Sequence, residues 1–296
     1  MAVVAALLFA GMALIAKAAA AEIPAPQLGF VRAGFGVLAV AVYALRGTLR
    51  VVSYRNLINR GASGGGAVYL YFQAIAHLPV GVATLLNYTA PVFTVLWCAA
   101  LYGERVGRRT LEAVVITTLG IVLVLRGRSL LAGGLGIYEL VGMGGAILSG
   151  LAMTLITEAR RTDGAWEIFG AFSVGCLLVS APEALAHWQT PSRHAWLLLA
   201  AMGAFSVGGQ VMMTYTMGFL DATLSGVINQ LTPVASLSAG AYLFGERFGA
   251  LAWCGIGITL AGALFGAWLG ATPRQSSTRT VPRIKTANEG GPAPPQ

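Results

Sequence analysis

Charged side chains are scarce in this sequence, and their scarcity excludes an ordinary soluble fold. Asp, Glu, Lys and Arg together make up 10% of the 296 residues, whereas apolar residues make up 56%. Soluble domains carry roughly a quarter of their residues as charges. So few charges cannot cover a water-exposed surface of ordinary composition, so most of this chain must face lipid or other apolar helices.

The sequence also lacks the residue patterns that catalysis and metal binding require. The three cysteines, Cys98, Cys176 and Cys254, are far apart and have no CxxC spacing, so a metal or redox site is not expected. The three histidines belong to no paired carboxylate motif, and HExxH and the Walker pattern GxxxxGK[ST] are absent. We therefore expect neither an enzyme nor an ATP-driven pump, and no cofactor or metal.

What the sequence has instead is ten apolar segments, each long enough to cross a bilayer, which takes about 17 to 25 residues. They cover residues 2–20, 27–45, 62–78, 80–101, 110–126, 135–157, 167–186, 195–215, 222–243 and 250–270. The sequence therefore predicts an all-α integral membrane protein with ten transmembrane helices. After residue 270, Pro, Ser, Thr and Gly replace the apolar runs, which predicts a disordered tail over 271–296.

The two halves of the chain repeat one pattern. Shifting the sequence by 142 residues aligns the block NYTAPVFTVLWCAALYGERV with NQLTPVASLSAGAYLFGERF. The duplication predicts one five-helix repeat over residues 1–128 and a second over 129–270. Because five is an odd number of crossings, the second repeat is expected to be inverted in the membrane. Secondary transporters use such inverted repeats to build alternating access.

The distribution of Lys and Arg predicts the orientation. With the N-terminus in the cytoplasm, thirteen of these residues fall in cytoplasmic segments and four in outer segments, as the positive-inside rule expects. Loop 46–60, with Arg46, Arg50, Arg55 and Arg60, contributes four of the thirteen. Both termini are then cytoplasmic. The basic residues are scattered over loops instead of forming one face with aromatics, so nucleic acid is not an expected partner.

These blocks, each a proline-containing helix that ends in Gly-Glu-Arg, resemble the EamA group of the drug/metabolite transporter superfamily. Lys17 near the end of the first span and Arg32 early in the second also resemble the family pattern. The resemblance implies a ten-span bacterial exporter of amino acids or related metabolites in the cytoplasmic (inner) membrane. The chain departs from the family at Phe9 and Ala10, where members often carry a Trp-Gly pair.

The repeated block contains Asn-x-x-x-Pro, at Asn87 and Pro91 and again at Asn229 and Pro233. A proline inside a helix frees the carbonyl four residues earlier, which here belongs to the Asn. Each helix should therefore kink, and the freed groups must face protein or a wet cavity. The kinks either face the substrate or are packing kinks whose Asn bonds to a neighbouring helix. In the first case four residues become candidate substrate ligands: Asn87, Tyr88, Asn229 and Gln230.

Charged residues are few inside the predicted spans, and three of them lie in the outer halves of the first, second and sixth spans: Lys17, Arg32 and Glu139. Burying a charge in a membrane is costly enough to demand a partner or water. We predict an outer network in which the acid pairs with one of the bases and gates the external mouth, although a Lys near a span end also reaches the interface by snorkelling. For Arg32, a structural or gating role is favoured over substrate binding.

Other polar residues inside the spans are candidates for the transport pathway. Tyrosine offers a solute an apolar face and one hydrogen bond, and an amide has no apolar body to offer lipid. The candidates on the third and eighth spans are Tyr71, Gln73, Gln210 and Tyr215.

Glycines mark helix ends and close helix contacts. Gly103 and Gly245 precede Glu and Arg at the ends of the fourth and ninth spans, which predicts left-handed caps. Gly262, Gly266 and Gly270 form a small-residue face on the tenth span. That face either packs within the chain or joins a homodimer.

The features together predict a secondary transporter that moves a small solute, with membrane lipid as its surroundings. An amino acid or a related zwitterionic or neutral solute fits the amides, tyrosines and freed carbonyls, and export is the expected direction. The alternative is efflux of cationic drugs or quaternary amines by proton antiport. That chemistry usually needs a buried carboxylate, and Glu139 near a span end is the candidate.

Overall fold

The computed structural model describes residues 2–47, 49–103, 108, 112–113, 115–116, 119–120, 122–123, 136–159, 162–216, 231–245 and 249–270. Ten helices fall within these ranges: α1 (Ala2–Ala19), α2 (Ala25–Ala44), α3 (Tyr54–His77), α4 (Val80–Asn87), α5 (Ala90–Tyr102), α6 (Ile137–Ala159), α7 (Ala165–Ala186), α8 (Arg193–Thr216), α9 (Leu231–Phe244) and α10 (Ala250–Gly270). The predicted tail, 271–296, lies outside the described residues.

Apolar helices dominate this part of the chain, as the composition predicts. Five stretches are long and apolar enough to cross a membrane: Ala25–Ala44, Val80–Tyr102, Ile137–Ile156, Ala165–Ala186 and Arg193–Met213. Three more apolar helices are shorter: Val3–Ala19, Ala235–Phe244 and Ala250–Gly262. The chain is therefore a helical membrane protein, and the count of ten spans stays a prediction. The predicted fifth span, 110–126, is described at scattered positions only.

Helix α3 lies at the centre of the bundle and packs along both α6 and α7. Gly66, Leu70 and Ala74 of α3 face Leu148, Gly145 and Gly142 of α6 in reversed order, so these two helices are antiparallel. On its other side α3 runs parallel to α7, since Gly61 and Gly65 approach Ala171 and Gly175 in the same order. The largest core cluster lies around α3 and α4, with Phe72, Ile75 and Leu85 fully buried.

The α3–α7 crossing is unusually close because glycines face each other there. A Cβ built on Gly65 would lie 2.5 Å from the carbonyl oxygen of Gly175, and one built on Gly61 would lie 2.6 Å from that of Ala171. Only residues without a side chain allow two backbones this near to one another. The close crossing draws the first half of α3 into the bundle.

This packing corrects one sequence-based boundary. The third span was expected to begin at residue 62, with Arg55 and Arg60 in a cytoplasmic loop. Helix α3 instead begins at Tyr54, and Arg60 is only 6% exposed. The first two turns of α3 are polar enough to hide the helix from a hydropathy argument. Close contacts at Gly61 and Gly65, together with the buried side chain of Leu57 in a cluster with Ile168, hold this part of α3 against α7.

The connecting loops meet at two opposite ends of the bundle. At one end, Gln27 donates to the carbonyl oxygen of Gln189 at 2.8 Å and accepts from its backbone N–H at 3.1 Å. At the other end, Asp163 accepts from the backbone N–H of Val52 at 2.7 Å and of Ser53 at 3.3 Å. These bonds join the first half of the chain to the second at both ends.

Asp163 is an ionised anchor. Burial alone would raise its pKa, but hydrogen bonds from the Thr162 hydroxyl and from the backbone N–H groups of Val52 and Ser53 outweigh burial and hold its pKa below the ordinary value. The carboxylate therefore stabilises the junction between the α2–α3 and α6–α7 loops in its charged form.

Two glycines end their helices as predicted. Gly103 follows α5 with φ of 64°, and Gly245 follows α9 with φ of 63°. In this left-handed conformation the N–H of Gly103 donates to the carbonyl oxygen of Ala99 at 3.0 Å. The predicted left-handed caps are confirmed at both positions. The following Glu-Arg pairs lie outside the described residues.

Candidate functional site

The site is built around an interruption of the fourth predicted span. Helix α4 ends at Asn87, Tyr88 and Thr89 form a turn, and α5 begins at Ala90 with Pro91 in its first turn. Because Pro91 cannot donate to the Asn87 carbonyl, the helical hydrogen-bond pattern is broken here. The Thr89 hydroxyl instead donates to the carbonyl oxygen of Leu86 at 2.6 Å. The break turns Asn87 and Tyr88 toward the bundle interior.

A cavity of about 170 Å³ lies beside this break. Both halves of the chain contribute to its wall, through α1, α2, α3 and α4 on one side and α6, α8 and α9 on the other. Its lining residues are Phe9, Met12, Arg32, Ala67, Val68, Tyr71, Phe72, Asn87, Tyr88, Ser149, Gln210, Met213 and Thr232. The wall therefore combines aromatic and aliphatic surface with a few polar groups, as small-molecule sites do.

Contacts across the cavity connect the broken helix to the second half of the chain. The hydroxyl of Ser149 on α6 donates to the side-chain oxygen of Asn87 at 3.1 Å. The phenol of Tyr88 lies beside Thr232 on α9, and Thr232 donates to the carbonyl oxygen of Ala6 at 3.1 Å. Side chains of the second repeat thus hold the break in place, so a movement of one half against the other would change these contacts.

Tyr71 is held in place from the other side of the break. Its phenol and the hydroxyl of Thr84 are 3.2 Å apart, and Thr84 donates to the carbonyl oxygen of Val80 at 2.7 Å. The Tyr71 hydroxyl is therefore the donor of the pair. Its ring presents an apolar face to the cavity, close to Phe72.

Two buried arginines lie over the ring of one phenylalanine. The guanidinium carbon of Arg32 is 5.5 Å from the ring centre of Phe172, and that of Arg60 is 4.5 Å from it. Arg32 is 7% exposed and Arg60 is 6% exposed. The thiol of Cys176 lies beside both guanidinium groups. These contacts bring together α2, α3 and α7 next to the cavity.

Gly64 makes room for this cluster. It lies one helical turn beyond Arg60 on α3, and a Cβ built on it would lie 2.7 Å from the ring of Phe172 and would overlap the Nη1 of Arg60. The guanidinium of Arg60 therefore lies along its own helix toward the cavity, in space that any other residue at position 64 would fill.

The structure brings several predicted residues together. Asn87, Tyr88, Tyr71 and Gln210 line the cavity, and so does Arg32, for which a structural or gating role was favoured. Gln73 is not in the cavity wall, since its amide donates to the Tyr69 hydroxyl at 3.3 Å, which contacts Glu183. Asn229, Gln230 and the side chain of Tyr215 lie outside the described residues. Pro233 is buried within α9.

The structure gives a position to each residue of the predicted outer network. Lys17 donates to the carbonyl oxygens of Leu78 at 2.8 Å and Ala76 at 3.3 Å, so it caps the end of α3. Glu139, only 5% exposed, lies at the same end of the bundle, one residue after Tyr138, which stacks on His77. Arg32 lies in the cavity wall. Pairing of Glu139 with Lys17 or Arg32 stays a prediction.

Gly262 is buried in the chain itself. A homodimer through Gly262, Gly266 and Gly270 stays a prediction.

Sequence reasoning missed Arg60, Ser149 and Thr232. Arg60 has a sequence signal, because positions 60, 64, 67, 68 and 71 recur at helical spacing on one face of α3. Ser149 and Thr232 have none, since hydroxyl residues are common in apolar helices and their cavity position depends on how α6 and α9 pack. The Asn-x-x-x-Pro pattern gave no indication that Asn87 is hydrogen bonded to Ser149, which lies 62 residues away.

Comparison with known proteins places this site in a known context. The family model described as the EamA-like transporter family matches residues 1–126 and 136–267, which are the two repeats. The pseudopaline exporter CntI of Pseudomonas aeruginosa (strain UCBPP-PA14) is 28% identical over 251 residues, covering 83% of this chain and 87% of that protein.

One further relative is also a transporter by name, and one solved structure has a similar fold. An uncharacterized transporter of Archaeoglobus fulgidus is 29% identical over 241 residues, covering 81% of this chain and 85% of that one. A protein known from its crystal structure is similar in fold, with a TM-score of 0.66 and 22% sequence identity over 90% of this chain and 94% of that one.

Proposed function

The chain belongs to the EamA-like transporter family, within the drug/metabolite transporter superfamily, and from this premise we propose that it exports a small amino-acid-like solute across the bacterial cytoplasmic membrane by alternating access. Family membership makes it a membrane transporter. The solute class, the direction and the mechanism are the proposal. The relative named a pseudopaline exporter supports export of a small metabolite.

The observation that carries the proposal is the composition of the cavity. Asn87, Ser149, Tyr88 and Gln210 offer donors and acceptors for a polar solute, and Phe9 and Met12 offer apolar surface. A cavity of about 170 Å³ is small, on the scale of a metabolite and below the roughly 300 to 1,000 Å³ of pockets that take drug-sized ligands. A small, amphipathic solute fits both the size and the lining.

The cavity also argues against the alternative, efflux of cationic drugs. Such a site needs a carboxylate facing the solute to exchange a proton for the cation. The lining residues that the structure describes carry one formal charge, the cation of Arg32, and no carboxylate. Glu139, the sequence candidate for that role, lies at the end of the bundle beside Tyr138. An incoming cation would meet Arg32 and be repelled.

The helix directions support alternating access. Helix α1 is antiparallel to α8, since Leu8 and Gly11 face Gly208 and Phe205 in reversed order. Helix α2 is antiparallel to α7, since Gly29 and Gly36 face Ser180 and Ser173 in reversed order. Together with the antiparallel α3–α6 pair, these directions fit an inverted second repeat. The cavity then lies between the repeats, where the two halves would rock against one another. The hydrogen bonds Ser149–Asn87 and Thr232–Ala6 cross this interface.

A counterflow experiment tests the proposal. Proteoliposomes with the purified chain are loaded with unlabelled solute and offered labelled amino acids, nucleosides or quaternary amines. We expect labelled amino acids to accumulate and quaternary amines not to. Accumulation of a quaternary amine that depends on a proton gradient would instead establish cationic efflux.

Matched variants connect the activity to the cavity. Asn87→Ala removes an amide from the cavity wall, while Asn59→Ala removes an exposed amide from the start of α3. We expect the first to weaken half-saturation for the transported solute and the second to leave it unchanged. If both variants transport with wild-type affinity, the solute does not use this cavity.

A further inference from the structure

We propose that Arg32 and Arg60 form an anion site, and that the transported solute binds to it through carboxylate groups. This inference rests on the proposed function and names the substrate class more narrowly: a metabolite with at least two carboxylates and no net positive charge. It departs from the expectation that Arg32 is a structural or gating residue. The support is the hydrogen bonding, the charge and the position of the two side chains.

The first support is hydrogen bonding. The Nε of Arg32 and the Nε and Nη1 of Arg60 are buried, and they have no hydrogen-bond partner within the part of the chain that the structure describes. A guanidinium is a donor only and is never neutral in proteins, so a buried one needs acceptors. The face of Phe172 attracts the positive charge but accepts no such bond in line with these N–H groups. A carboxylate matches the planar fork of a guanidinium with two parallel hydrogen bonds.

The second support is charge. The guanidinium carbons of Arg32 and Arg60 lie on the same aromatic ring and are no more than about 10 Å apart, the two ring distances taken together, which is close enough for like charges away from water to repel each other. A buried pair of cations without a counter-charge is unfavourable. An anionic solute would relieve both the repulsion and the missing hydrogen bonds, whereas a cation would worsen both.

The third support is position. Arg32 is part of the cavity wall. Arg60 lies on the face of α3 that also carries the cavity residues Ala67, Val68 and Tyr71, about 10 Å from Ala67 along the helix at 1.5 Å per residue. Both arginines thus lie over the ring of Phe172 beside the cavity, and Gly64 provides the space that the Nη1 of Arg60 occupies. In the orientation predicted by the positive-inside rule, Arg60 is the arginine nearer the cytoplasm, the side from which an exported solute enters.

The test compares acids with their amides in the counterflow assay. Aspartate with asparagine, glutamate with glutamine, and succinate with succinamide are pairs of nearly equal shape that differ in carboxylate number. Each unlabelled solute competes with the labelled solute that exchanges best. We expect every acid to compete roughly ten- to a hundredfold better than its amide, the scale of a hydrogen-bonded charge pair.

Variants assign this preference to the arginines. Arg32→Gln and Arg60→Gln should each reduce the preference for acids, and Arg32→Lys and Arg60→Lys should retain part of it, because a lysine keeps the charge without the fork. The matched control is Arg55→Gln, an exposed arginine on the same helix as Arg60. It should keep the wild-type preference.

The outcomes separate this inference from the proposed function. If solutes exchange but acids and amides compete equally, or if both Gln variants keep the preference, the anion site is refuted and export of a small solute stands. If quaternary amines exchange in place of amino acids, both fail.

If no solute of either panel exchanges, thermal unfolding of the purified full chain decides the matter. An anion site predicts that Arg60→Gln unfolds at or above the wild-type temperature without solute, because it removes a buried, unpaired charge. The same site predicts that succinate raises the unfolding temperature of the wild type, at constant ionic strength, more than that of Arg60→Gln. A fall in the unfolding temperature of ligand-free Arg60→Gln, with no succinate effect on the wild type, would make Arg60 a packing residue and overturn the proposal.

Discussion

Substituting Gly65 by Ala should destabilise the protein, because the α3–α7 crossing has no room for a methyl group. The added Cβ would lie 2.5 Å from the carbonyl oxygen of Gly175, 2.7 Å from its carbonyl carbon and 3.0 Å from the backbone nitrogen of Cys176. All three neighbours are backbone atoms, so no side chain can rotate away. The helices would have to separate by about 0.5 to 1 Å to restore ordinary contact distances.

The expected cost follows from that separation. Overpacking a well-packed interior typically costs about 1 to 3 kcal/mol, and a gap of this size forfeits a quarter to a half of each contact along the crossing. For a chain of this length, 1 kcal/mol corresponds to roughly 2 to 4 °C in unfolding temperature. Gly65→Ala should therefore unfold roughly 2 to 12 °C below the wild type in thermal unfolding of the purified protein.

The matched control is Gly34→Ala on α2. A Cβ built on Gly34 meets nothing within 4 Å, and Ala is a better helix former than Gly by up to about 1 kcal/mol. This variant should unfold at or above the wild-type temperature. Since the crossing positions Arg60 against Phe172, Gly65→Ala should also weaken solute affinity in counterflow. If Gly65→Ala is as stable as Gly34→Ala, the two helices do not cross on their glycines and the argument fails.

Three further predictions test other parts of the molecule. Asn87→Ala should lower transport affinity by roughly 1 to 3 kcal/mol, the cost of an unmet polar contact. Pro91→Ala restores a backbone hydrogen bond and should change the turnover rate more than the affinity. If each variant changes turnover and affinity equally, these two roles are contradicted. Asp163 has a lowered pKa in the folded protein, so its stabilising effect is complete above the unfolded pKa of about 3.9 and disappears as the pH falls through the lower folded pKa. Asp163→Asn should therefore be less stable than the wild type at pH 7, and the difference should shrink below about pH 4. A difference in unfolding temperature that does not change with pH would refute the stabilising role of the Asp163 carboxylate. In a background without native cysteines, Leu45→Cys should be shielded from impermeant thiol reagents in intact cells and Thr190→Cys should react, and the reverse pattern would invert the orientation.

Features set by neighbouring residues were predictable from the sequence. The scarcity of charge identified a helical membrane protein, and the repeated block identified the transporter family that the family model shows. The left-handed caps at Gly103 and Gly245 followed from glycine alone, because a single residue's lack of a Cβ decides that conformation. The interruption between α4 and α5 lies where the lost hydrogen bond of Pro91 would put it, since that effect reaches only four residues back.

Hydropathy misplaced the start of the third span for an equally physical reason. The first two turns of α3 are polar, and hydropathy measures transfer into lipid. That segment is buried by the side chain of Leu57 and by the close backbone contacts that begin at Gly61, and a hydropathy scale does not report such contacts. Arg60 was therefore assigned to a loop although it is buried in the bundle.

The sequence by itself determined that this chain spans a membrane, that it is duplicated, and where its helices break and end, because each of these depends on composition or on residues a few positions apart. Only the tertiary structure decided which polar residues share the cavity. Arg32 meets the ring of Phe172, and Asn87 meets Ser149, 62 residues away, because helices from both halves cross there. Contacts between residues so far apart depend on helix packing, which local sequence does not encode.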